Sequence, residues 1–126
     1  MTVVLVDTSV WVSHFRYANA ALMELLMRDR VATHPLVAGE IACGTPPERQ
    51  RTLANLQRLQ QAQQATTHEV MAFIDREQLF GHGCGWIDLA LLASTLLTPA
   101  VRLWTLDRRL GALAARFGVV YEPPVG

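Results

Sequence analysis

The chain contains no lysine: all eleven basic side chains among its 126 residues are arginine. A Gly-x-x-x-x-Gly-Lys-Ser/Thr phosphate loop is therefore excluded, as is a phosphoacceptor receiver domain, which requires a lysine beside its phosphate. No Gly-x-Ser-x-Gly elbow is present, so a serine hydrolase of that type is excluded too. A haloacid-dehalogenase phosphatase would place an aspartate two residues after Asp7, where Ser9 stands. The two cysteines, Cys43 and Cys84, form no Cys-x-x-Cys pair and no cluster with histidine, which argues against a zinc site. They are expected to be small buried thiols in a reducing compartment. No apolar run approaches the roughly 18 residues of a membrane helix. The amino terminus has no basic segment leading into a cleavable apolar stretch, because Asp7 interrupts it. A cytoplasmic protein with no membrane segment is the expectation.

What is present is half apolar, at 51% hydrophobic residues, in a length that suits one domain over residues 1–126. Four carboxylates lie inside apolar sequence. Asp7 follows Val3-Val4-Leu5-Val6, and Glu40 sits within Leu36-Val37-Ala38-Gly39-Glu40-Ile41-Ala42. Asp88 is enclosed by Trp86-Ile87 and Leu89-Ala90-Leu91-Leu92-Ala93, and Asp107 follows Val101-Arg102-Leu103-Trp104-Thr105-Leu106. Burying a lone carboxylate is costly enough to neutralise it. Four such acids point to a shared counter-charge, and a hard divalent cation, Mg²⁺ or Mn²⁺, prefers oxygen ligands. Glu24 needs no such explanation, since its helical face carries Arg28 at i+4. Net charge is zero, but with those four acids set aside the eleven arginines face only seven carboxylates. Arginine suits bidentate contact with phosphate.

The order of elements converts these positions into geometry. Val3–Val6 reads as a buried strand, followed by a short helix capped in Asp7-Thr8-Ser9. A helix is expected over 20–29, a short strand at 31–33, and a helix starting at Pro35 that carries Glu40. A polar helix runs over 48–59, with Leu53, Leu56 and Leu59 forming a stripe for internal packing or a partner helix. A poor edge strand is expected at 63–66, and Thr66-Thr67-His68-Glu69 resembles a capping box opening a helix to about Phe80. The loop Gly81-His82-Gly83-Cys84-Gly85 precedes an interior helix over 86–97 bearing Asp88. A strand over 101–105, a helix capped by Asp107 and a last strand at 119–121 complete the chain. Alternating strands and helices imply an α/β fold, a mostly parallel central sheet with helices on both faces. Asp7 and Asp107 then lie beyond the carboxyl ends of buried strands, where open α/β sheets bind ligands.

Val4-Leu5-Val6-Asp7-Thr8-Ser9-Val10-Trp11 resembles the opening strand and first acidic motif of a PIN domain. Leu36-Val37-Ala38-Gly39-Glu40-Ile41 is similar to its second motif, a helix-borne glutamate. Gly83-Cys84-Gly85-Trp86-Ile87-Asp88-Leu89-Ala90-Leu91-Leu92-Ala93-Ser94 resembles the third, and Leu103-Trp104-Thr105-Leu106-Asp107-Arg108-Arg109-Leu110 the fourth. Each is weak alone; the ordered set spans nearly the whole chain. The compact length further resembles the VapC toxins of bacterial type II toxin–antitoxin pairs. That resemblance implies a Mg²⁺-dependent endoribonuclease, with Mn²⁺ as substitute, that leaves 5′-phosphate and 3′-hydroxyl ends. It also implies a VapB-type antitoxin as partner and a homodimer. Asp7 and Asp88 are the first-choice metal ligands. Glu40 and Asp107 bind through water or complete a second ion's shell, and all four are the catalytic set. Thr8, Ser9 and Thr105 either orient carboxylates or water, or simply cap.

His14, His34, His68 and His82 share no ligand spacing, and none is assigned a catalytic role. His82 is an RNA contact or a plain loop residue. Arg108 and Arg109 oppose the macrodipole in a helix's first turn, which makes them phosphate-contact candidates, ordinary solvation being the simpler reading. Two other functions stay open: an RNA-processing PIN nuclease without a toxin role, and a catalytically idle PIN-like binding module.

Overall fold

A computed structural model describes residues 1–125. Four strands, β1 (Val3–Val6), β2 (Val31–Thr33), β3 (Gln60–Gln61) and β4 (Val101–Trp104), form one sheet in the order β3-β2-β1-β4. Every pairing is parallel. Seven helices connect and follow them: α1 (Thr8–Arg16), α2 (Ala20–Met27), α3 (Pro35–Ala42), α4 (Arg49–Gln57), α5 (Thr67–Glu77), α6 (Trp86–Leu97) and α7 (Arg108–Arg116). Successive strand residues point to opposite faces, yet Val4, Leu5 and Val6 are all fully buried. The sheet is therefore covered on both sides, as expected for an α/β fold. Among the described residues no helix is long and apolar enough to cross a membrane.

Register decides where the acids go. β1 pairs with β4 so that Val6 stands opposite Trp104, and the Asp7 N–H donates to the Trp104 carbonyl at 2.9 Å. From β1 the chain runs outward to β2 and β3, then crosses to β4 on the other side. The carboxyl ends of β1 and β4 thus flank a topological switch point, where a crevice opens between diverging connections.

Several local expectations change. The edge strand is Gln60–Gln61, not 63–66. Thr66 is committed to capping α5 in a capping box with Glu69, and the Gln63 N–H donates to the Thr98 hydroxyl instead. The closing strand at 119–121 reduces to a single parallel bridge between Leu103 and Val120. Pro123 and Pro124 follow after Tyr121 and Glu122 and have no N–H with which to extend a ladder. Cys43 is exposed and Cys84 only half-buried, so neither is the buried thiol expected. Leu56 of α4 is buried, with Leu53 and, just beyond the helix, Leu59 packed partly against the core, so this leucine stripe serves the fold's own core.

Leu103, on β4, is fully buried and pairs with Leu5 of β1. Its backbone also accepts from Tyr121 N–H at 2.8 Å and donates to Val119 at 2.7 Å. Leu103→Ala is expected to cost about 2–5 kcal/mol, read as a lowered midpoint in urea unfolding.

Candidate functional site

Asp7 occupies the N-cap position of α1 but its side chain makes no cap hydrogen bond. Its Oδ2 instead accepts from two hydroxyls, Ser9 Oγ at 2.7 Å and Thr105 Oγ1 at 2.8 Å. The direction of both bonds is enforced. Ser9 Oγ is itself an acceptor for Leu106 N–H at 3.0 Å, and Thr105 Oγ1 for Asp107 N–H at 3.0 Å. A carboxylate oxygen only accepts, so each hydroxyl donates to Asp7 at 2.7–2.8 Å, a shorter contact than the 3.4 Å between the two hydroxyl oxygens themselves. The result is a bracket that ties the end of β1 to the end of β4 through one carboxylate oxygen.

The other three acids repeat the pattern. Glu40, on α3, accepts at Oε1 from the Thr8 hydroxyl at 2.6 Å. Asp88, in the first turn of α6, accepts at Oδ2 from Gly85 N–H at 3.3 Å. Asp107 caps α7, its Oδ1 accepting from Arg109 N–H at 2.8 Å and Leu110 N–H at 3.1 Å. In each case the fold holds one carboxylate oxygen. Asp7 Oδ1, Glu40 Oε2, Asp88 Oδ1 and Asp107 Oδ2 accept nothing among the described residues. No arginine neutralises any of the four. The ion pairs among the described residues are Arg28–Glu24, Arg51–Glu48, Arg76–Glu77 and Arg116–Glu77, all elsewhere.

Burial is less uniform than the sequence implies. Asp7 is 6% exposed, Asp88 is intermediate, and Glu40 and Asp107 are exposed. Gly39 leaves the face of α3 beside Glu40 open, and Asp107 follows β4 by enough residues to reach water. Electrostatics nonetheless joins them. The Asp88 carboxyl is raised from its ordinary value by burial first, with Asp7, Asp107 and Glu40 adding to the rise and the Gly85 N–H opposing it. Among the described residues, however, no three His, Cys, Asp or Glu side chains stand close enough to share a metal ion as they are. Like charges favour that spacing, and bringing the four nearer requires positive charge between them.

The donor chemistry fits a hard divalent cation: oxygen only, four carboxylates, each with an uncommitted oxygen. Cys84 does not join as a soft ligand. Its thiol is pushed up by burial, then by Asp88 and Asp107, and so stays protonated at neutral pH. A divalent cation at this edge would have Asp7, Asp88, Glu40 and Asp107 as its carboxylate ligands, once drawn closer than they stand. A cavity of about 500 Å³ between α3 and α4, lined by Thr33, Ala38, Leu53 and Gln57 among others, contains no carboxylate.

Sequence reading missed two features of this region. His34 is the N-cap of α3, its Nδ1 accepting from Leu36 N–H at 3.0 Å, and burial lowers its pKa. Histidine is not a preferred cap, so only the following Pro35 signalled the helix start. The Arg109 side chain also lies against Gly83, a contact no spacing rule announces. His82 is exposed, its Nε2 3.1 Å from the Gln78 carbonyl.

Thr105→Val removes one arm of the Asp7 bracket and leaves Asp107 N–H without its acceptor. Calorimetric affinity for Mn²⁺ is expected to fall roughly 10–100-fold, the usual cost of losing a ligand's supporting hydrogen bond. Asp88→Asn keeps an acceptor for Gly85 but removes a charge that the folded state disfavours. With its folded pKa raised, Asp88 favours the fold only while protonated, and that contribution is lost as pH rises through its titration. In chelator at neutral pH, Asp88→Asn is therefore expected to melt at a higher temperature than the parent. The gain should shrink as pH falls towards the ordinary carboxylate range.

The sequence profile of the PIN domain matches residues 4–116. Ribonuclease VapC32 of Mycobacterium tuberculosis, in strains CDC 1551/Oshkosh and H37Rv, is 44% identical over 122 residues, covering 97% of this chain and 98% of the relative. Two solved structures share the fold. PAE2754 from Pyrobaculum aerophilum superposes with a TM-score of 0.60 at 16% identity, over 91% of this chain and 94% of its own. A DNA-bound VapBC from Salmonella typhimurium gives 0.61 at 14% identity, over 95% of this chain and 96% of its own. With four acids placed in order about one sheet edge and this kinship in sequence, the chain belongs to the PIN-domain family, among the VapC ribonucleases.

Proposed function

We propose that the chain is the toxin of a type II toxin–antitoxin module, a cytoplasmic Mg²⁺-dependent endoribonuclease that hydrolyses RNA phosphodiester bonds. One observation carries the metal reading: four acids from four different segments each keep one oxygen anchored by the fold and one oxygen uncommitted. Asp7 and Asp88 are the principal ligands, Asp7 because the bracket holds it still, Asp88 because its charge is the one most in need of compensation. Glu40, restrained by Thr8, and Asp107, restrained by the first turn of α7, act through water or complete a second ion's shell. Bound there, Mg²⁺ or Mn²⁺ supplies positive charge for the attacked phosphate and acidifies an attacking water. The protein's part is to fix carboxylate positions within a narrow range and to leave the cleft open to a strand.

The toxin role rests on sequence kinship to Ribonuclease VapC32. A cognate VapB-type antitoxin and a homodimer are the partners this reading requires. The rival, an RNA-processing nuclease without a toxin role, uses the same chemistry and differs in its cellular effect.

Purified protein is expected to cut RNA with Mg²⁺ or Mn²⁺, to stop with chelator, and to lose at least roughly 100-fold activity as Asp7→Asn, since a direct ligand matters no less than its supporting shell. Cleavage unaffected by chelator would defeat the metal reading. Growth arrest on expression, relieved by a small neighbouring gene product, separates toxin from housekeeping nuclease.

A further inference from the structure

Arg109 is the second residue of α7, and its guanidinium folds back across the glycine loop that leads into α6. A Cβ on Gly83 would stand 2.7 Å from both Cδ and Nη1 of Arg109 and 3.0 Å from Cζ. The side chain therefore lies flat on bare backbone, in space that only glycine leaves open. Gly83 also has φ +85°, a left-handed conformation that glycine adopts without strain. The shelf and the arginine fit each other twice over, by volume and by backbone.

The position is electrostatically specific. Asp88, Asp107 and Arg109 all act on the Cys84 thiol, the two carboxylates raising its pKa and the guanidinium lowering it. The geometry places Arg109 at the rim of the cluster: its own N–H donates to Asp107 Oδ1 at 2.8 Å, and its side chain lies on Gly83, two residues before the Gly85 N–H that donates to Asp88 Oδ2 at 3.3 Å. Arg109 forms no ion pair with either acid, and its guanidinium donates no hydrogen bond among the described residues. A cation in a helix's first turn opposes the macrodipole, and here it neither pairs nor caps. Its planar fork of five N–H donors is left for an acceptor from outside, and phosphate matches that geometry. Arg108 makes a useful contrast. It too is unpaired, but it lines a hollow shared with Thr105, Asp107, Tyr121 and Glu122 whose lining does not include Gly83, so it borders the same acid without the glycine shelf.

We propose that Arg109, laid on the Gly83 backbone, grips a phosphate of the RNA strand beside the four carboxylates and so sets where the strand lies relative to them. The proposal rests on the ribonuclease reading above. Its physical logic is that a polyanion approaching a cluster of acids needs a fixed positive contact to hold its register. Phosphate contacts position a strand without reading its sequence.

The test uses the full chain with Asp7→Asn, which leaves RNA uncut, and measures binding of a labelled single-stranded RNA over a series of salt concentrations with Mg²⁺ present. Adding Arg109→Gln is expected to weaken binding about tenfold and to reduce the slope of log K against log salt by about 0.7, the release expected for one lost phosphate contact on a single strand. Arg109→Lys, which keeps the charge without the fork, should fall between. Gly83→Ala, which displaces the guanidinium, should weaken binding in the same direction with the melting temperature checked alongside. Arg108→Gln should change neither affinity nor slope. The proposal is overturned if Arg109→Gln leaves affinity and slope unaltered, or if Arg108→Gln lowers them equally, since the effect would then be general charge. If the parent protein neither binds nor cuts RNA, the ribonuclease reading fails, and this one with it. Intact RNA binding with loss of control by the antitoxin would reassign Arg109 to the protein partner and overturn it as well.

Discussion

The parallel pairing of β1 with β4 is the constraint on which the site depends. It sets Asp7 beside Thr105 although 98 residues separate them, and lets two hydroxyls from two chain segments close on one carboxylate oxygen. Ser9 and Thr105 are themselves held by backbone N–H groups of Leu106 and Asp107, which fixes both hydroxyl oxygens against Asp7. The same few atoms position Asp7 and begin the turn that delivers Asp107. A slip of one residue in this register would reverse every side chain of the strand. The apolar residues that bury β1 on both faces therefore also protect the chemistry.

Charge organises what sterics places. The arginines that pair with acids do so on exposed surfaces, where such pairs contribute little to stability. The four acids of the cluster receive hydroxyl and backbone donors instead. Those donors immobilise one oxygen without cancelling the charge, so the negative field at the sheet edge persists. Asp88 records that field most clearly because burial already disfavours its ionised form. Among the described residues no ion pair offsets that charge.

Much of this was legible in the sequence. The continuously apolar Val3–Val6 and the alternation of strand with helix identify an α/β sheet, because buried parallel strands must be hydrophobic on both faces. Thr66 and Glu69 announce a helix start through a local capping pattern, and the structure has that capping box. The weak polar segment after α4 was misplaced by three residues. Gln60 and Gln61 carry no strand propensity, and only their pairing with Ala32 and Thr33 makes them β3. The last strand shrank to one bridge for a similar reason, since valine and tyrosine favour a sheet but the prolines beyond them cannot continue it.

By itself the sequence determined the fold class and the family resemblance, through four carboxylates in order, each next to a strand end or within an apolar helix. It could do so because hydrophobic periodicity and capping are local properties, written within a few residues. Tertiary structure alone decided that Asp7 is enclosed while Glu40 and Asp107 reach water, which oxygen of each acid stays uncommitted, and that Arg109 rests on Gly83. Those outcomes depend on register, helix rotation and side-chain rotamers between segments distant in the chain. No local pattern encodes them, because each is a property of two surfaces meeting.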